Sequence, residues 1–148
     1  MDLPFKTVLV TTDFSPLGNA ALPVAFRLAK DHHARLLVAT VLEFPPPPNP
    51  MYAHYYPMPT PEQKHTARAA ALTAMKALVP DALASGVAWE PTILEGDAAT
   101  ELCRFASDHA VSVVVMSSHG RSGVKKMLFG SVAERVLRGT HCPVLLVR

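Results

Sequence analysis

Cysteine is nearly absent from this sequence: Cys103 and Cys142 are the only two in 148 residues. Two thiols so far apart make neither a disulfide framework nor a zinc site, and they fit a reducing compartment. Charge of either sign is sparse as well, with 14 Lys plus Arg against 12 Asp plus Glu and a formal net charge of +2. The densest basic cluster is the pair Lys125-Lys126, which is too small for the basic face of a nucleic-acid or membrane-surface binder. No run reaches the roughly 20 apolar residues that a membrane span requires. The stretch from Met1 to Thr12 also lacks the long apolar core and small-residue cleavage site of a secretion signal. These absences predict one soluble domain over residues 1–148, working in the cytoplasm without nucleic acid or membrane as a partner.

What is abundant is aliphatic sequence in short runs. Hydrophobic residues make up 49% of the chain, enough for a substantial core. Thr7 to Thr12, Arg35 to Leu42, Val87 to Glu95, Val111 to Ser117 and Val144 to Val147 read as five strands. They are near-continuous apolar runs, the pattern of a parallel sheet covered on both faces. Pro91 assigns the third strand to an edge, because proline cannot donate to an inner ladder.

Helical signals fall between these runs. Ser15-Pro16 supplies a hydroxyl cap and a first-turn proline, and Leu22, Ala25, Phe26 and Ala29 carry a helical period to about His33. Thr60 to Gln63 is a capping box for an alanine-rich helix reaching Leu78, which Pro80 ends. Asp97 caps a helix to about His109, and Ser131 with Glu134 forms a second capping box for a helix stopping near Gly139. The alternation predicts an open parallel sheet with helices on both faces. Between the second strand and second helix lies Glu43 to Pro59, with Pro45 to Pro48, Pro50, Pro57 and Pro59 among tyrosines and His54. Fixed φ and missing N–H groups predict a long loop there, without helix or central strand.

In such a sheet a ligand binds beyond the carboxyl ends of the strands, where the strand order reverses. Strand one ends in Thr12, Asp13 and Phe14. Strand four ends in Ser117, Ser118, His119, Gly120, Arg121, Ser122 and Gly123, and leads on to Gly130-Ser131. Glycines admit close approach of backbone amides to an anion, and a helix start offers unpaired N–H groups. Those residues suit a phosphate cradle. Taken alone they equally suit a plain chain turn and a plain helix cap, and both readings stand at this point. The P-loop and dinucleotide fingerprints are absent. His119 has no assignable nucleophile or carboxylate, so scaffolding or a phosphate contact is expected of it, with no catalytic residue named. Arg121, Lys125 and Lys126 could neutralise phosphates or simply face solvent. Cys103 reads as core and His54 as part of an exposed loop, with no metal site.

The run SSHGRSGVKKMLFGSVAERVL followed by CPVLLV, with VLVTTDFS near the start, resembles the universal stress proteins from Lys6 to Arg148. The resemblance implies an adenine nucleotide alpha hydrolase-like, Rossmann-like fold with strand order 3-2-1-4-5. It also implies ATP or a related adenine nucleotide as ligand, with Mg²⁺. The nucleotide-binding branch carries G-x2-G-x9-G-[ST]. On this sequence the later positions are Gly120, Gly130 and Ser131, and the first glycine is replaced by Ser117, whose Cβ narrows the allowed backbone. By position, Asp13, with Thr12 beside it, falls at the ribose and Val41 at the adenine. Gly120, Gly130, Ser131 and Val132 fall at the phosphates, with His119, Arg121 and Gly123 in the same loop. The resemblance further implies a homodimer joined through Val144–Val147. Two alternatives accompany this regulatory reading: a slow ATPase or phosphotransferase, and a dimeric stress protein that binds no nucleotide.

Overall fold

The computed structural model describes residues 4–46, 49–55, 57–119 and 129–148. Its strands are β1 (Thr7–Thr11), β2 (Arg35–Leu42), β3 (Trp89–Glu95), β4 (Val113–Ser117) and β5 (Val144–Val147). They form one five-stranded sheet in the order β3-β2-β1-β4-β5, and every adjacent pair is parallel. The helices are α1 (Pro16–Asn19), α2 (Ala21–His32), α3 (Pro61–Leu78), α4 (Asp81–Ala84), α5 (Ala98–Asp108) and α6 (Ser131–Gly139). None of them is long and apolar enough to cross a membrane.

The continuous apolar runs are explained by β1. Val8 and Val10 point into a cluster with Leu22, Ala25 and Phe26 of α2 and Ala71 and Met75 of α3. Leu9 points the other way, into a cluster with Leu102 of α5, Val136 of α6, and Val114 and Met116 of β4. Because both faces are covered, alternation of side chains across the strand does not produce alternation of polarity. Leu9 is fully buried, so truncating it to alanine would cost about 2–5 kcal/mol. Pro91 does lie on an edge strand, opposite Val38 of β2.

The direction in which successive strands are added reverses between β1 and β4. From β1 the chain winds outward through β2 to β3, then crosses to β4 on the other side of β1 and continues to β5. The crevice at that reversal is left open at the carboxyl ends of the strands.

Three expectations need correction. The first helix is broken: α1 ends at Ala20, whose N–H bonds to Leu17 O, and α2 starts afresh. The proline-rich segment contains a 3-10 helix, Pro50–Tyr55. Proline is tolerated at its first position because no N–H is required there, and Asn49 supplies the cap, accepting from Met51 N at 2.9 Å. Pro47, Pro48 and Tyr56 lie outside the described residues. The third correction concerns the start of α6, which belongs to the site.

Candidate functional site

A cleft of about 610 Å³ opens at the reversal point, within the range of small-ligand sites. Eight of the expected residues line it: Thr12, Asp13, Val41, Ser117, His119, Gly130, Ser131 and Val132. Gly120, Arg121 and Gly123 lie outside the described residues, as do Lys125 and Lys126. Ends of β1, β2 and β4 and the start of α6 thus converge on one space.

At the end of β1 the backbone is held in a strained turn. Phe14 has φ 66°, a left-handed conformation that costs a bulky residue energy. Side chains on either side hold it there. Thr12 Oγ1 accepts from Phe14 N at 3.0 Å and donates to Asn19 Oδ1 at 2.6 Å. Asp13 Oδ1 accepts from Ser15 N at 3.0 Å and from Ser15 Oγ at 2.5 Å. Ser15 Oγ in turn accepts from Gly18 N and caps α1. Gly18 lines the cleft as well, and a methyl group there would collide with the Asp13 carboxylate. Sequence reasoning named Asp13 but missed Gly18, whose role exists only once the turn is folded.

At the end of β4 the serine that departs from the glycine signature is turned onto its own loop. Ser117 Oγ donates to His119 O at 2.7 Å. Ser118 is buried; its N–H donates to Val147 O at 2.8 Å, and its carbonyl accepts from Gly130 N at 2.6 Å. That last bond fixes where α6 begins. Gly130 is the cap residue, with φ −68° and ψ 161°, and no side chain caps the helix. Glu134 N bonds to Gly130 O, so Ser131 is the first helical residue and the expected Ser131–Glu134 box is not formed. Glu134 pairs with Arg138 instead, at 3.0 Å. Among the described residues no side chain caps α6, Gly130 to Ala133 at its start line the cleft, and the one acidic side chain of the first turn, Glu134, is engaged by Arg138.

The start of α5 contrasts with this. Asp97 Oδ2 accepts from Thr100 N and Oγ1, at 3.0 and 2.6 Å, and the Asp97 carboxylate also takes both Arg135 amino groups, at 2.9 and 2.7 Å. The Arg135 guanidinium, helped by the Thr100 hydroxyl and amide, holds the Asp97 carboxyl well below the usual range. Glu43 Oε1 accepts from Ala98 N at 2.9 Å. Glu43 and Phe44 line the cleft, and Lys64 of α3 lies 5.3 Å over the Phe44 ring while pairing with Glu95 at 2.5 Å. Sequence reasoning missed Glu43 and Phe44, because their contacts join segments with no local motif.

Among the described residues no three His, Cys, Asp or Glu side chains come together to hold a metal. Cys103 and Cys142 are both free thiols. Burial, and then the neighbouring Cys142, push the Cys103 thiol up, which makes it a weak nucleophile.

Comparison with known proteins places this site in context. The sequence model described as the universal stress protein family matches residues 4–148. Universal stress protein YxiE of Bacillus subtilis is 30% identical over 147 residues, which is 97% of this chain and 99% of that one. Universal stress protein UspA from Lactobacillus plantarum shares the fold with a TM-score of 0.80 at 22% identity, covering 97% of this chain and 98% of its own. A universal stress protein solved in complex with cAMP superposes with a TM-score of 0.62 at 25% identity, over 97% of each chain.

Proposed function

Because this chain belongs to the universal stress protein family, we propose that it is a regulatory protein of the stress response that binds ATP or a related adenine nucleotide. The nucleotide lies across the carboxyl ends of β1 and β4. The observation that carries this reading is the cleft at the strand-order reversal, into which the uncapped start of α6 opens at Gly130 and Ser131. A helix start with no capping side chain is receptive to phosphate. A similar protein solved with cAMP supports an adenine ligand.

In this reading Asp13, braced by Ser15, holds the ribose, and the backbone of Val41 meets the adenine. Gly130, Ser131 and Val132, with Gly120, Arg121 and Gly123 of the glycine loop, hold the phosphates. Thr12 shapes the turn that presents Asp13, while Ser117 and His119 form the wall at the end of β4. Mg²⁺ enters on the phosphates, which supply its oxygen ligands, since no protein cage of three acidic, His or Cys side chains exists among the described residues. Binding changes the state of a loop or a partner surface, and turnover is not the output.

Thermal melts with ATP and Mg²⁺ test this. Ligand at about 100 times its dissociation constant should stabilise the fold by about 2.7 kcal/mol. An unmoved melting temperature at millimolar ATP, with no heat in calorimetry, would remove the reading. Multiple-turnover release of phosphate would convert it into the slow ATPase reading.

The same proposal includes a cytoplasmic homodimer joined through β5. That strand is a sheet edge, and Leu145 on it is 41% exposed. The carbonyls of Pro143 and Val147 bond inward to Val114 N and Ser118 N, so the alternate residues Val144 and Leu146 turn their backbone groups outward. Two such edges related by a two-fold axis would cover one another. Sedimentation should give a dimer for the wild type and a monomer for Val144→Pro, in which only an outward N–H is lost. A folded Val144→Pro that remains dimeric would move the interface elsewhere.

A further inference from the structure

The end of β2 sends successive side chains to opposite sides of the sheet. Val41 packs on the cluster of α5 and α6, and Leu42 on the cluster of α2 and α3. A period of two then directs Glu43 towards α5 and Phe44 towards α3. The contacts agree: Glu43 Oε1 accepts from Ala98 N at the start of α5, and Lys64 of α3 lies over the Phe44 ring. The same period governs the backbone. Leu42 O accepts from Gly96 N, and Ala39, the last β2 residue paired with β1, accepts from Thr12 N. Val41 therefore turns its N–H and C=O to the β1 side, past the end of that pairing. Val41, Glu43 and Phe44 all line the cleft.

Glu43 is held by one carboxylate oxygen. Oε1 takes Ala98 N, and among the described residues Oε2 accepts no hydrogen bond. A carboxylate oxygen only accepts, so it favours an N–H or O–H donor and repels both a phosphate and a carbonyl. Strands β2 and β4 stand two spacings apart, about 10 Å, with β1 between them. The start of α6 is tied to the β4 side of that gap by the bond from Gly130 N to Ser118 O. A ligand with its phosphates at α6 brings its base to the β2 side, where Glu43 is.

Resting on the nucleotide reading above, we propose that Glu43 determines which base the cleft accepts: Oε2 takes a hydrogen bond from the exocyclic amino group of a 6-aminopurine. That amino group carries two N–H donors, one for the Val41 carbonyl and one for Glu43. A 6-oxopurine offers neither, and its carbonyl would face the carboxylate. A site built to receive a donor rejects an analogue that lacks it, because its own polar groups are left unpaired.

The experiment is calorimetric titration of wild type and Glu43→Gln with ATP, ITP and 2′-deoxy-ATP. ITP differs from ATP in carrying an oxygen where adenine has its amino group. Wild type should prefer ATP over ITP by about 30-fold or more, the usual worth of a hydrogen bond to a charged group. In Glu43→Gln the amide oxygen can still accept from Ala98 N, which leaves the amide N–H groups to face the base. ATP should then weaken about five- to tenfold and ITP should tighten, so that the preference falls at least tenfold.

An unchanged ATP-to-ITP preference in Glu43→Gln would overturn the proposal. Equal losses for the two ligands would show that Glu43 only caps α5, and would overturn it too. Should the contrast between ATP and 2′-deoxy-ATP collapse instead, Glu43 reads the ribose and the assignment to the base falls. A wild type that binds ATP and ITP alike keeps the nucleotide reading and removes the role of Glu43. A wild type that binds neither removes both.

Discussion

The starts of α5 and α6 both face the cleft, through Ala98 on one side and Gly130 and Ser131 on the other. At α5 two carboxylates occupy the first amides: Asp97 takes Thr100 N, and Glu43 takes Ala98 N from 55 residues away. Their negative charge offsets the positive end of the helix dipole, and Arg135 balances Asp97. At α6 the cap is a glycine that offers no side chain, and no side chain among the described residues accepts from the first amides. Two helices of similar length at one cleft thus differ in what they leave unsatisfied. The closed start holds the protein together, and the open one is where the proposed phosphates would lie.

The most direct way to break that comparison is to close α6 as well. Gly130→Asp places a carboxylate at a cap whose φ of −68° any residue accepts. Helix stability should hold or rise by a few tenths of a kcal/mol relative to glycine. Repulsion should weaken ATP by about 100-fold or more, roughly 2.7 kcal/mol, in calorimetric titration. Unchanged affinity would mean that the phosphates do not approach α6.

Opening α5 should do the reverse, costing stability and leaving affinity alone. Asp97→Ala removes a cap and the bridge between α5 and α6, and should destabilise by about 1–2 kcal/mol. The Asp97 carboxyl titrates below its unfolded value, so its stabilisation is present at neutral pH. It fades as pH falls below the ordinary carboxylate range. The gap in melting temperature between wild type and Asp97→Asn should therefore narrow as the solution is acidified. The effect is modest because both Asp97 and Arg135 are about half exposed. A gap that widens in acid would contradict the assignment.

The smallest effect is expected at Ser117. Its hydroxyl is turned onto His119 O, so Ser117→Gly exchanges one hydrogen bond for relief from a Cβ. The two should nearly cancel, with ATP affinity changing less than about threefold. A large gain would show that crowding at Ser117 limits binding.

Strands were the most legible part of the chain, because β-branched runs such as Val113–Val115 buried on both faces have few other uses. The candidate site was legible where it depends on local spacing: Asp13 after β1, and Gly130-Ser131 at the start of α6. It was misread where two local rules compete. The S-x-x-E pattern at Ser131 could be read as a cap, but the bond from Gly130 N to Ser118 O sets the helix start one residue earlier. Proline at Pro50 was taken as a barrier to helix, although the first position of a helix tolerates it. Glu43 and Phe44 gave no signal at all, since each acquires its role from a partner brought close by the fold.

Lys6 N and Thr7 N both donate to Ser112 Oγ, across separations of 106 and 105 residues. Val8 to Val10 likewise pair with Val113 to Val115. A chain emerging from the ribosome can assemble β1, β2 and β3 with their helices while β4 has not yet been made. The side of β1 that later receives β4 must wait, with Leu9 on it, and such distant pairings form slowly. The two banks of the cleft meet at that late seam. Nucleotide would then have no purchase on a nascent or half-folded chain, and would draw the equilibrium only towards finished molecules. Occupancy would report completion as well as abundance: a cell reading the bound form would count proteins whose distant segments had already found each other.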